Sequence, residues 1–188
     1  MRVVAGKFGG RRLRAPSGNG TRPTVERVRE ALFSILGSSV TGVRVLDCYA
    51  GSGSLGIEAI SRGAAYAVFV DKGRPAVAAI QENLRALGIP TPDAARIIPR
   101  NVEGSIPMLR DLAPFDLVLV DPPFAAVRDH TALAALGAVV RSGVLAQQAL
   151  VIVEVPSDQP DATVDGLLLE DARCYGDTRL LFLRAGRN

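Results

Sequence analysis

The stretch Val43-Arg-Val-Leu-Asp47-Cys-Tyr-Ala-Gly51-Ser-Gly53-Ser-Leu-Gly56 reads as an apolar strand ending on an acid, then a glycine-rich turn, then the start of a helix. Glycines at such a turn let the backbone bend sharply and approach a ligand closely, and the following helix offers free N–H groups. The turn contains G-x-G-x-x-G, and Asp71, twenty residues after Gly51, closes the next apolar run, Tyr66-Ala-Val-Phe-Val. An acid there can accept hydrogen bonds from both ribose hydroxyls of an adenosine cofactor, so a dinucleotide such as NAD is admissible. Asp47 shifts the balance. A carboxylate just before the loop sits badly beside a pyrophosphate and suits a ligand carrying an ammonium and a sulfonium, which describes S-adenosylmethionine.

Outward from this unit the chain alternates short apolar runs with helical patterns. A helix is predicted over Ser54 to Ser61, and another from about Arg74 to Gly88, with Pro75 in its first turn. Ala76, Ile80, Leu84 and Leu87 recur at the spacing of one buried helix face. Further strands are expected at Ala94 to Ile98, Phe115 to Val120 and Leu150 to Val155, with helices near 105–112 and 129–141. This β-α alternation predicts a mostly parallel sheet with helices on both faces. The tail departs from it. Gly166 to Arg173 and Thr178 to Arg184 are joined by the short turn Cys174-Tyr-Gly-Asp, which fits an antiparallel hairpin at one sheet edge.

At the other end, Val3 to Ala5 and Arg11 to Leu13 flank Gly6-Lys-Phe-Gly-Gly10 as a small hairpin, and Ala15 to Gly20 reads as a linker. A helix is expected after Thr24 as N-cap, burying Val25, Val28, Leu32 and Ile35 and leaving Arg27 and Arg29 on its surface. The chain is therefore divided into a hairpin arm with linker, 1–20, and one catalytic domain, 21–188. Its 188 residues carry a net charge of +3, but residues 1–30 carry +6 and the remainder −3. A basic arm on a mildly acidic body suggests an anionic partner, most naturally nucleic acid; the plainer reading is a solvated edge that aids solubility.

Several classes fall away on composition. The longest charge-free stretch, Ala31 to Val43, is shorter than the ~20 apolar residues of a membrane span. The opening residues lack a secretion-signal pattern, and Cys48 and Cys174 suggest no disulfide framework, so a reduced, cytoplasmic protein is expected. With His130 the only histidine, no metal site is expected; His130 reads as a surface or capping residue and Cys48 as a small core residue. Glu154, at the end of the fifth strand, is assigned no function.

Asp121-Pro-Pro-Phe124 follows the very apolar run Phe115-Asp-Leu-Val-Leu-Val. Two prolines at a strand end remove two backbone donors and hold the chain in an extended bend. The Asp121 carboxylate and the Pro122 carbonyl then stand as paired acceptors beside an aromatic ring, Phe124, an arrangement suited to the exocyclic amine of a base. The alternative is a rigid turn with an ordinary core phenylalanine.

The loop D-x-x-x-G-x-G followed by D-P-P-F resembles the class I methyltransferases that modify amino groups of nucleobases. Three segments resemble the RsmD family: Ala5-Gly6-Lys-Phe-Gly-Gly-Arg-Arg-Leu13, Thr21-Arg-Pro-Thr-Val-Glu-Arg-Val-Arg-Glu-Ala-Leu-Phe33 and Leu46-Asp-Cys-Tyr-Ala-Gly-Ser-Gly-Ser-Leu-Gly-Ile-Glu-Ala59. The resemblance implies a Rossmann-like fold with a seven-stranded sheet, S-adenosylmethionine as methyl donor, and the N2 amine of a guanine in 16S ribosomal RNA as acceptor. It assigns Asp47, Gly51 and Gly53 to the amino-acid end of the cofactor and Asp71 to the ribose, with Tyr49 and Lys72 also counted among the cofactor-binding residues. Asn101 and Val102 go to the adenine. Asp121, Pro122, Pro123 and Phe124 form the catalytic motif, with Asp121 also touching the cofactor; Phe8 takes the place of a larger aromatic in relatives. Lys7, Arg11, Arg12, Arg22 and Arg27 are the expected RNA contacts, on a monomer acting within a small-subunit assembly particle. Two other readings stay open: an adenine-N6 or cytosine-N4 methyltransferase, and a non-catalytic RNA-binding assembly factor.

Overall fold

The runs Arg44–Cys48 (β1), Tyr66–Val70 (β2), Ala95–Ile98 (β3), Phe115–Val120 (β4) and Leu145–Pro156 (β5) carry apolar residues on both sides along most of their length, so the sheet needs cover on both faces. In the computed structural model, which describes residues 1–16, 23–160 and 163–186, they pair in parallel. Leu167–Tyr175 (β6) and Thr178–Ala185 (β7) turn back as the expected antiparallel hairpin, with β7 against β5 and β6 outermost. The order β3-β2-β1-β4-β5-β7-β6 reverses direction between β1 and β4, opening a crevice at the carboxyl ends of the central strands.

Side-chain alternation sorts the strands between two apolar layers. Val45, Ala67 and Phe69 meet Pro23–Leu36 (α1), Ser54–Ser61 (α2) and Arg74–Leu87 (α3). Leu46, Val68 and Val70 meet Val102–Arg110 (α4), Phe124–Arg128 (α5) and Thr131–Arg141 (α6). Among the described residues no helix is long and apolar enough to cross a membrane.

Several boundaries move for physical reasons. α4 starts at Val102, earlier than expected, because the Asn101 side chain caps it by accepting from the Gly104 N–H. The helix expected over 129–141 begins at Thr131 as α6, and a short helix that was not expected, α5, precedes it. His130 sits at φ +64 between them, and Asp129 accepts from both the amide and the hydroxyl of Thr131. β5 begins five residues before Leu150, past a register shift around Gln147-Gln148 whose polar side chains hide it in the sequence. α1 begins at Pro23, so Thr24 lies inside the first turn and is not its N-cap.

The buried face of α1 also differs from the expectation. Val28 and Leu32 are buried as expected, but so are Arg29, Phe33 and Leu36, while Ile35 is exposed. Arg29, expected on the surface, is 2% exposed. A charge can be buried there because Glu58 of α2, fully enclosed, faces it across the interface at 3.9 Å.

Residues 1–16 do not project as a free arm. The hairpin closes through a single bridge, Arg2 to Arg12, with a 3-10 turn over Gly6–Phe8 at its tip. Val3, Phe8 and Leu13 are buried in the same core as α1 and α3. Buried polar side chains tie this strap to the body. Glu58 accepts from the amides of Val4 (2.7 Å) and Ala5 (3.1 Å), and the Ser61 hydroxyl accepts from Phe8 N–H and donates to the Ala5 carbonyl. Asn83 bonds both the amide and the carbonyl of Arg14. Gly6 is required at the crossing: its φ is +81°, and a Cβ there would lie 1.9 Å from the Ser61 carbonyl oxygen.

Candidate active site

The carboxyl ends of β1, β2 and β4 border a cavity of about 820 Å³. From the glycine loop come Tyr49 and Gly51, from the end of β2 Asp71 and Lys72, from the α4 entrance Asn101 and Val102, and from the end of β4 Asp121, Pro122 and Pro123. Nine residues predicted from sequence thus converge on one wall system.

Asp71 is the organising carboxylate. Its Oδ2 accepts from Gly51 N–H and its Oδ1 from Gly73 N–H, both at 2.8 Å, which fixes the glycine loop against the end of β2. A carboxylate has about four lone-pair sites, so it can hold the loop and still accept from hydroxyls in the cavity. Gly51 adopts φ +56°, and a Cβ there would approach no protein atom closer than the Tyr49 carbonyl at 3.9 Å. The space it would occupy belongs to the cavity. These features fit an adenosine cofactor: a clear cradle at the loop and a fixed acceptor for its ribose.

Not every expected cofactor residue reaches the cavity. Asp47 is 1% exposed beneath the loop, where its Oδ2 accepts from Gly56 N–H at 2.9 Å and its Oδ1 has no partner. Burial, with Asp71 nearby, pushes its pKa up to about 8. Gly53 serves as the left-handed N-cap of α2, behind the loop surface. The Asn101 side-chain oxygen caps α4 while its amide group lies 3.4 Å from Glu103. Tyr49, at φ +59°, has its phenol pushed up to about 12 by burial and by Glu103.

At the end of β4, the Asp121 amide continues the ladder to the Cys48 carbonyl at 3.4 Å. The Pro123 carbonyl caps α5 by accepting from the Ala126 and Val127 amides. Burial, then the neighbouring carboxylates Glu154 and Asp47, raise the Asp121 pKa well above the usual range. Phe124 opens α5, partly buried, and among the described residues it does not line the cavity.

A second, smaller pocket lies on the α1 side of the sheet, lined by Arg29, Ser54, Asp121 and Glu154 among apolar neighbours. Sequence reasoning missed Arg29, Ser54 and Glu154. Arg29 shares helical spacing with Phe33 and Leu36, but only its partner on another helix shows that its charge goes inside; Glu154 carried no sequence signal, because its neighbours come from other elements. Glu103 and Thr131 were also missed on the large cavity's wall. Among the described residues no group of three or more His, Cys, Asp or Glu is placed to hold a metal.

Of the expected RNA contacts, Lys7, Arg11, Arg12 and Arg27 are exposed, and Arg22 lies outside the described residues. Arg11 also donates to the Ala86 carbonyl at the end of α3. Lys7 sits 5.3 Å from the ring centroid of Phe8, whose buried ring is part of the core and not a free stacking surface.

A doubly wound parallel sheet ending in an antiparallel hairpin, with an acid-bordered glycine cradle and the Asp121-Pro-Pro123 turn on one crevice, defines a class I methyltransferase. A family model described as Conserved hypothetical protein 95 matches residues 1–184, and the chain belongs to this family, the RsmD family. It is similar to the ribosomal RNA small subunit methyltransferase D of Escherichia coli (strain K12), 36% identical over 155 residues, covering 82% of this chain and 74% of that one. The methyltransferase of the same name from Haemophilus influenzae is 33% identical over 178 residues, covering 94% and 89%. A solved structure of the putative methyltransferase yhhF from Escherichia coli superposes with a TM-score of 0.82 at 32% identity, covering 100% of this chain and 99% of that one.

Proposed function

We propose that this protein transfers a methyl group from S-adenosylmethionine to the exocyclic N2 amine of a guanine in 16S ribosomal RNA. One observation carries the reading: the acid-prolyl turn at the end of β4 and the glycine cradle at the end of β1 border the same cavity. Bound there, S-adenosylmethionine supplies an electrophilic methyl group on a sulfonium. The chain's own residues supply position. Asp71 accepts from the ribose hydroxyls, the Gly51 backbone gives the amino-acid end room, and Asn101 and Val102 border the adenine.

Asp121 and the Pro122 carbonyl hold the amine. A guanine N2 lone pair is delocalised into the ring, and accepting its hydrogens at two fixed oxygens favours a pyramidal nitrogen with a localised lone pair. Alignment of that nitrogen for in-line attack would contribute much of the acceleration; the N–C bond would form as the sulfonium S–C bond breaks, S-adenosylhomocysteine would leave, and the methylated amine would give up a proton to Asp121 or water. The base must leave its stack, which is easiest in an unpaired region of RNA. Exposed Lys7, Arg12 and Arg27 neutralise RNA phosphates. The enzyme works in the cytoplasm as a monomer, on RNA already held in a small-subunit assembly particle, because the domain carries little apparatus of its own for finding a target.

The test is methylation of small-subunit RNA, free and assembled, with nucleosides identified by mass spectrometry. N2-methylguanosine is expected, and N6-methyladenosine or N4-methylcytidine in its place refutes the assignment. Asp121→Ala should abolish turnover while cofactor binding persists; wild-type turnover in that variant sinks the mechanism.

A further inference from the structure

The large cavity leaves one part of the crevice unexplained. Asp121 is the residue that borders both it and the smaller pocket between α1, the start of α2 and the ends of β4 and β5. A methyl donor and its acceptor must meet at the reacting atoms, so the residue shared by two cavities marks their meeting point. That places the acceptor on the α1 side.

The polar groups around this pocket are unusual for a core. Arg29 donates through Nη2 to the Arg2 carbonyl, yet its buried Nε and Nη1 have no hydrogen-bond partner. Glu58 balances its charge at 3.9 Å without making a hydrogen bond to it. Buried donors of a guanidinium are costly to leave unpaired, and such a group points to a ligand atom or water that completes it. Glu154, also on the pocket wall, is held by one carboxylate oxygen, which accepts from the Thr178 hydroxyl at 3.2 Å. Burial raises the pKa of Glu154, as it does that of Asp121. Leu55, Ile152 and Leu180 supply apolar wall on which a ring face can lie. The enclosed part measures only about 20 Å³, the room of one water molecule, and the pocket is open at its mouth. It therefore takes the substituted edge of a base, with the ring body in the mouth.

We infer that this pocket reads the acceptor base as guanine: Arg29 donates to O6 and Glu154 accepts from ring N1–H, beside Asp121 at the N2 amine. The inference rests on the guanine-N2 reading above and extends it to specificity. Along its Watson–Crick edge guanine presents one acceptor and then donors, which match a guanidinium followed by carboxylates. Adenine presents an amine toward Arg29, donor against donor, and an unprotonated N1 that offers a Glu154 carboxylate no proton to accept. Cytosine likewise offers Glu154 a bare N3. A site built to pair a base edge rejects the analogue that cannot pair, because its own polar groups are left unsatisfied. The strap takes part through the Arg2 carbonyl, which helps hold the Arg29 guanidinium at the pocket.

The test compares small-subunit RNA carrying guanine with the same RNA ligated to carry 2,6-diaminopurine at the mapped nucleotide. Diaminopurine keeps the N2 amine, but has an amine in place of O6 and no proton on N1. Wild-type enzyme should prefer guanine in single-turnover rate. Glu154→Gln, close in shape, can donate to the bare N1, so its preference should fall about ten- to hundredfold. Cofactor affinity measured by calorimetry should be unchanged. Arg29→Lys, which keeps the charge opposite Glu58, should lower the preference as well, with its unfolding midpoint reporting that the fold survives. If both variants slow the two substrates by the same factor, or neither changes the preference, the pocket is a hydrated ion cluster and the inference is overturned. If the wild type forms no N2-methylguanosine on any RNA, the underlying reading fails instead, and the inference falls with it.

Discussion

Replacing Glu58 with alanine tests whether the basic N-terminal segment is an integral part of the domain. The carboxylate is fully buried and accepts from Val4 N–H, Ala5 N–H and Arg62 Nε (2.8 Å), with Arg29 Nε at 3.9 Å. Removing one partner of a buried ion pair costs about 3–5 kcal/mol, because the other charge is left behind. Each amide left unsatisfied adds about 1–3 kcal/mol unless the strap lifts into water. Lifting relieves those amides but exposes Val3, Phe8 and Leu13, at about 1.5–3 kcal/mol per side chain. Relief by either route is partial, so a loss near 4 kcal/mol is expected, a large share of the ~5–15 kcal/mol that holds a domain. For a chain of this size that corresponds to a fall in Tm of roughly 8–16 °C. Urea unfolding at neutral pH measures the first quantity, and trypsin cleavage after Lys7, Arg11 and Arg12 under native conditions measures strap release. A loss below about 1 kcal/mol with an unchanged cleavage rate would refute the claim that Glu58 anchors the strap.

Three further outcomes are expected. Asp47 has a higher pKa in the folded protein, about 8, than in the unfolded chain. Between the unfolded value near 4 and 8 the native state binds more protons, so this group makes stability fall as pH rises through that window. Asp47→Asn should flatten the dependence, raising the urea midpoint relative to wild type at pH 8 more than at pH 5; equal effects at both would remove the argument. Asp71→Ala should weaken S-adenosylmethionine binding about tenfold or more, since hydrogen bonds to a charged group are lost; unchanged affinity by calorimetry would remove the ribose assignment. Replacing Lys7, Arg12 and Arg27 together with glutamine should lower the salt slope of RNA binding by about 2, at roughly 0.7 per phosphate contact on single-stranded RNA. An unaltered slope would refute their role. Substitution is the cleaner test, because deleting the segment would also remove the core residues Val3, Phe8 and Leu13.

The sequence alone settled whatever depends on local pattern. The continuous apolar runs at Val45-Leu46, Tyr66–Val70 and Phe115–Val120 can be buried only in a sheet covered on both sides, and the short Cys174–Asp177 connection can join only antiparallel neighbours. The same locality brought Gly51, Asp71 and Asp121 to the ends of adjacent strands, because residues that end consecutive parallel strands must lie on one edge. The tertiary structure alone decided which charges go inside. Arg29 and Glu58 are 29 residues apart, and nothing near either one discloses the pairing that makes their burial tolerable. The basic segment read as a separate arm because charge is visible residue by residue, whereas the Glu58, Ser61 and Asn83 contacts that dock it are distributed over two helices. Glu154 was silent for the same reason. A carboxylate acquires a role from the groups around it, and Thr178 and Asp121 come near it only when three strands have packed, with Arg29 of a helix on the wall of the same pocket.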